Sequence, residues 1–193
     1  RLLGYYTPDG IEMALEQYGI LPQLERLGYH SFDVEIMANE LGDVNRIWGM
    51  SGGKRHLLIE SVTEKQKLLG KDVLYVHWLT LRHPRAVFSQ AKPKLPGQDT
   101  PGLGMAREGS ELLEQMAKRL GLSGVAFTPA YFHTAYAARK RSHFVSPARQ
   151  ARFEALIRDL GHLPLQQITL AVSAGHVLMD NQIYQWEATP MVC

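Results

Sequence analysis

Polar and apolar positions alternate along Ser31-Phe32-Asp33-Val34-Glu35-Ile36, the period-2 pattern of a strand with one buried face. Ahead of it, Ile11, Met13, Ala14, Leu15 and Tyr18 follow the turn-forming Thr7-Pro8-Asp9-Gly10 and predict a short helix that Gly19 stops. Residues 21–27, beside Pro22 and ended by Gly28, predict a second short helix. Two runs rich in β-branched and aromatic residues, 56–64 and 72–81, predict further strands, and Ile47 and Trp48 lie in a glycine-punctuated stretch before them. Gly49, Gly52, Gly53 and Gly70 would supply the turns of an antiparallel meander.

Farther along, Leu112, Leu113, Met116, Ala117 and Leu120 mark one helix face closed by Gly121, and residues 125–127 read as a short buried strand. Residues 132–140 predict another helix. Ser146-Pro147 offers an N-cap and a proline at the first helical position, with Phe153, Leu156, Ile157 and Leu160 inside and Gly161 after. Residues 167–178 and 182–188, separated by Met179-Asp180-Asn181, predict a terminal hairpin. Between the halves, residues 82–100 carry Pro84, Pro93, Pro96 and Gly97 among polar residues, a loop of unusual length for a compact domain. The order of elements predicts an α/β (α+β) fold, one domain over residues 1–193 with an inserted loop at about 82–100.

Composition narrows the function without naming it. At 45% hydrophobic, 193 residues can bury the core of one domain. The formal net charge of +2 leaves no global basic field of the kind a nucleic-acid binder carries, so a basic site would have to be local. The single cysteine, Cys193, excludes an internal disulfide and a Cys-rich zinc site, and fits a reducing, cytoplasmic location. No run of about 18 apolar residues predicts a membrane span. The chain opens at Arg1 with neither Met nor an apolar leader, as an excised piece of a longer protein would.

The segment richest in chemistry is Pro101-Gly102-Leu103-Gly104-Met105-Ala106-Arg107, which puts small residues where a loop enters a helix. Glycines let backbone approach an anion, and the first helical turn offers unpaired N–H groups and the positive dipole end, so a pyrophosphate would suit it. The alternative is a plain tight turn. Gly104 and Ala106 match the Arg/Gln-x-x-Gly-x-Gly/Ala motif with which the GNAT superfamily of N-acyltransferases opens its acyl-CoA-binding helix, and the segment 101–145 resembles that family's successive elements. Pro101 departs from the motif, standing where Arg or Gln is usual.

The resemblance implies a mostly antiparallel sheet flanked by helices, and direct transfer of an acyl group from acetyl-CoA, or another acyl-CoA, to an amine acceptor. It implies that Gly102, Leu103, Gly104, Met105, Ala106 and Arg107 cradle the pyrophosphate and that strand 72–81, with Leu79, bonds the pantetheine. The incoming amine must shed a proton and the thiolate benefits from a donor. His77 and Glu60 interrupt otherwise apolar strands and are the candidate bases; His77 falls on a face with Val73, Tyr75, Leu79 and Leu81, where a core histidine bonded to a carbonyl is the competing role. The family's acid is commonly a Tyr where this chain has Arg139, and His143 replaces a Gly; Tyr136, about one turn from Arg139, could substitute. Arg139-Lys140-Arg141, with Arg149 and Arg152, forms the one local basic cluster, suited to the 3′-phosphate of CoA or to a solvated helix end, so Arg139 joins the cofactor candidates.

Other signals fail. Gly49-Met50-Ser51-Gly52-Gly53-Lys54-Arg55 is one residue short of a P-loop and has Arg55 where Ser or Thr is needed. No Gly-x-Ser-x-Gly elbow and no metal-ligand spacing occurs. A catalytically degenerate member that binds a ligand or protein partner is the rival expectation, a nucleic-acid module a weaker one; a homo-oligomer is open.

Overall fold

In the computed structural model, which describes residues 1–193, the Thr7 hydroxyl accepts a hydrogen bond from the Gly10 N–H and Pro8 takes the first helical position, so α1 spans Pro8–Gln17. Gly19, in the left-handed region at φ 73°, turns the chain into α2, Ile20–Arg26. Four strands follow, β1 His30–Asn39, β2 Gly42–Ser51, β3 Lys54–Leu68 and β4 Lys71–Leu81, each antiparallel to the one before. Gly52-Gly53 and Leu69-Gly70 make the β2–β3 and β3–β4 turns, all four at positive φ. Gly49 is not a turn: it lies inside β2, where a Cβ would come within 2.7 Å of the Leu58 side chain and 3.2 Å of the Phe32 ring. Its missing side chain serves close packing.

Three irregularities shift the register, between His30 and Asp33 against β2, at Ile47/Trp48 against β3 and at Val62/Thr63 against β4. After β4 the chain runs through residues 82–100 with a single backbone bridge, Arg82 to Gly102, before α3, Ala106–Arg119, and β5, Val125–Phe127. The Ser123 N–H donates to the Asp72 carbonyl and the Leu74 N–H to the Gly124 carbonyl, so the bonds climb both segments in the same direction, as a crossover through α3 requires.

The chain divides into two compact units, residues 1–87 with 100–125, and residues 88–99 with 126–193. The second contains α4 Phe132–Ala138, β6 His143–Phe144, α5 Pro147–Leu160, α6 Leu165–Ser173, β7 Leu178–Met179, β8 Gln182–Ile183 and β9 Met191–Val192. The Ser146 hydroxyl caps α5 by accepting from the Arg149 N–H, as the Ser-Pro start predicts. β9 runs antiparallel to β6 and to the end of β5. The core is aromatic: Phe153 lies 5.6 Å from Phe132 and 5.3 Å from Phe144 between ring centres, and Trp186 edges all three rings. Within this unit Gly97 lets the inserted loop close on Tyr131, whose ring would stand 2.3 Å from a Cβ there.

The expected terminal hairpin is corrected. Residues 165–173 form α6, because buried Ile168, Thr169 and Val172 fall at the i, i+1, i+4 spacing of a helix face and Pro164 opens it; their β-branched character suggested a strand and tertiary packing overrode it. Only the turn survives, with Asp180 and Asn181 at φ 52° and 61° joining the two-residue arms β7 and β8. The chain is thus α+β with six helices, and its main sheet has the strand order β1-β2-β3-β4-β5-β9-β6, mostly antiparallel. No helix is long and apolar enough to cross a membrane.

Candidate functional site

The start of α3 is built by two backbone bonds. The His83 N–H donates to the Pro101 carbonyl at 2.8 Å and the Leu103 N–H to the Leu81 carbonyl at 3.2 Å, fastening the segment to the end of β4. Leu103 and Met105 are buried while Gly102, Gly104 and Ala106 are exposed, so the apolar residues anchor the loop and the small ones face outward. Gly104 sits at φ 76° and a Cβ on it would meet nothing within 4 Å; the backbone conformation, rather than space, calls for glycine. Met105 gives α3 no side-chain cap, and the first N–H groups, those of Ala106, Arg107 and Glu108, have no acceptor within the helix. These donors and the helix dipole are the chemistry an anion would need. Glu108 places a carboxylate in the same turn, and Arg107 is paired with Glu111 at 3.0 Å.

On the sheet, the register lines up Glu35, Arg46, Glu60 and Thr80 across four strands. Arg46 donates through Nε to Glu60 Oε2 at 2.6 Å, and Glu60 is largely buried, so this candidate base is held as half of an ion pair. Beside it Trp48 donates to Glu35 at 3.1 Å, and the Arg55 guanidinium lies 4.2 Å above the Trp48 ring while pairing with Asp33. His77 is placed differently from the simple alternation. The bulge pairs Val62 with Trp78 and Thr63 with Val76, leaving His77 as the extra residue. It stays near Tyr75, with ring centres 4.8 Å apart, and bonds Glu64 Oε1 through Nε2 at 2.8 Å, whereas Leu79 and Leu81 line a cavity under the helices. The expected common face with Leu79 and Leu81 is therefore broken. A histidine held by a carboxylate is oriented for proton transfer. Glu64 was not legible as its partner because the pairing depends on the bulge.

Tyr136 and Arg139 belong to the second unit and meet there. The Arg139 guanidinium covers the Tyr136 ring at 3.5 Å from its centre and donates to the Tyr136 carbonyl at 2.7 Å. The basic cluster is smaller than the sequence suggests, for Arg149 is turned inward. Its side chain is 3% exposed and donates to the Tyr184 hydroxyl at 2.7 Å and to the Glu187 carbonyl at 2.6 Å. The guanidinium carbon stands 4.7 Å from the Trp186 ring centre, so Arg149 ties α5 to the C-terminal segment. Burial pushes the Tyr184 phenol up, and the neighbouring Arg149 partly offsets this. Arg152 and His143 are exposed.

Two histidine arrangements had no sequence signal. Tyr29, almost fully buried, bonds His83 Nδ1 at 2.9 Å, and Arg85 donates to the Gly28 carbonyl and the Ser51 hydroxyl, clamping the start of the inserted loop to the first unit. Burial pushes the Tyr29 phenol up. In the second unit, the His133 ring stacks on Tyr131 at 5.6 Å, its Nδ1 is buried without a partner, and burial holds its imidazole below the ordinary range. No group of three or more acidic, histidine or cysteine side chains is arranged to hold a metal ion. Compared with known proteins, the chain matches no family model and shows no significant similarity to any curated protein.

Proposed function

We propose that the chain is a divergent acyl-CoA-dependent N-acyltransferase of the GNAT type, transferring an acetyl or similar acyl group directly to an amine acceptor. The observation that carries this reading is the start of α3, where a left-handed glycine precedes an uncapped helix end with three free backbone donors. That donor set fits a pyrophosphate, with Gly102, Gly104 and Ala106 leaving the backbone accessible. The donor's pantetheine would lie upstream of Leu81, near Leu79, because the backbone of residues 81–83 is already spent on Leu58, Pro101 and Leu103. His77, oriented by Glu64, would take the proton of the incoming amine. The attacking nitrogen forms the new amide bond, the thioester C–S bond breaks, and the CoA thiolate leaves with a proton from a donor or from water.

A second reading has its own support: a GNAT-like module that binds a ligand or partner without turnover. Glu60 is paired with Arg46, His77 with Glu64, and the Tyr136 ring is covered by Arg139, so each candidate acid or base is already engaged. Calorimetric titration with acetyl-CoA and longer acyl-CoAs, followed by turnover over a panel of amines, tests both. Binding with turnover is expected; binding without turnover selects the module, and no binding at millimolar ligand removes the acyltransferase reading.

A further inference from the structure

The helix-facing side of the first unit's sheet is not a plain apolar core. Ile47, Ile59 and Leu81 form one cross-strand row, yet the next row reads Asn45, Ser61 and Leu79, and Thr63 follows two residues on. Asn45, Ser61 and Thr63 are all more than nine-tenths buried, beneath Leu2, Ile11 and Leu15 of the N-terminal segment and Met105, Leu112 and Met116 around α3. A strand face packed only for stability would carry β-branched apolar residues at these positions. Here Asn45 Oδ1 and Thr63 Oγ1 are buried without a hydrogen-bond partner, and both residues line a cavity of about 50 Å3.

We propose that this cavity is a ligand site for a small, mostly apolar molecule ending in one hydrogen-bond donor, an alcohol in its simplest form. The wall chemistry sets the class. Isoleucine, leucine and methionine surfaces take the hydrocarbon part, while a carboxamide oxygen on β2 and a hydroxyl on β3 take the head. The room sets the size, since a water needs about 10–15 Å3 measured this way, so the cavity holds about three to five such groups. The cavity shares Leu79 and Met105 with the proposed acyl-CoA site, but the proposal rests on the buried polar atoms of Asn45, Ser61 and Thr63, none of which belongs to residues 101–107.

The test is a methyl and amide NMR titration of the full chain with 2-methyl-1-propanol and, in parallel, with 1-chloro-2-methylpropane, which has the same branching and no donor. The expected result is saturable shifts at the Ile47, Ile59 and Leu79 methyls with a millimolar Kd for the alcohol, and binding at least about fivefold weaker for the chloride, the effect of one net hydrogen bond. Asn45→Leu should erase the difference between the two probes, and Ser61→Leu, which fills the space, should abolish both. If Ser61→Leu does not fold, the Asn45→Leu comparison decides alone. Non-saturable shifts, equal affinity of both probes for the unmodified chain, or an undiminished preference for the alcohol in Asn45→Leu would overturn the proposal, as would water cross-peaks at Thr63 that persist at saturating alcohol.

Discussion

Gly104 allows the anion binding proposed for the start of α3 to be tested by charge alone. Replacing it with Glu sets a carboxylate at the residue before the Met105 cap, where a bound phosphate would stand about 5 Å away. With an effective dielectric near 20, two unit charges at that separation repel by about 3 kcal/mol, roughly a 200-fold loss of affinity. The substitution also places a side chain at φ 76°, costing about 1–2 kcal/mol of stability, of which a negative charge near a helix start returns about 0.3–1 kcal/mol. Nothing lies within 4 Å of the new Cβ, so no clash is added. Gly104→Gln carries the same strain and length without the charge, and the difference between the two isolates the electrostatic part. Acetyl-CoA titrations at low and high salt should show Gly104→Glu far weaker than Gly104→Gln, with the gap narrowing as salt screens it. Equal affinities for the two variants, or affinity unchanged from the unmodified chain, would refute the assignment of residues 101–107 to phosphate binding.

Three further outcomes are expected. His77→Ala should lower turnover by about 10²–10⁴-fold with acetyl-CoA affinity unchanged in calorimetry, the signature of a lost proton acceptor; persisting turnover would make the His77–Glu64 pair a strand contact only. Arg149→Met removes two charge-assisted hydrogen bonds from a buried site and should cost about 2–3 kcal/mol in urea unfolding, with Arg149→Met/Tyr184→Phe recovering about 1 kcal/mol because no orphaned hydroxyl remains. Because burial lowers the His133 pKa, the unfolded chain binds more protons than the folded one below the ordinary histidine value near 6.5, so this group's contribution to stability is present above that pH and lost as pH falls. His133→Gln should therefore flatten the acid side of the stability profile, measured by unfolding at a series of pH values.

Much of the fold was written locally. Ser146-Pro147 and Thr7-Pro8 fix two helix starts through bonds within three residues, and Gly52-Gly53 turns one hairpin with no help from elsewhere. The misread segment, residues 165–173, has β-branched residues whose helical spacing matters only once the aromatic core exists to receive them. The division into two units gave no compositional signal, since residues 88–99 pack with a part of the chain that begins more than 25 residues later. Of the candidate site, the glycine-marked helix start was legible because its chemistry is contiguous. The partners of Glu60 and His77 were not, because Arg46 and Glu64 reach them across strands whose register is set by two bulges. Arg149 looked like one more surface charge, and nothing short of the aromatic ring set around it would have placed it inside.

The rung joining Arg82 to Gly102 has a consequence for how this chain can change over time. The excursion departs and returns at one pair of facing backbone groups, so its two ends stay about one strand spacing apart whatever the intervening residues are. Doubling such a segment costs only about 0.6 kcal/mol in closure entropy. Changes of length between the two ends therefore cost little in closure entropy, while the entry into α3 is held to a fixed position. Within the excursion only His83, Arg85 and Gly97 carry the fastenings described above, so a change of length that keeps those three contacts leaves the entry into α3 where it is.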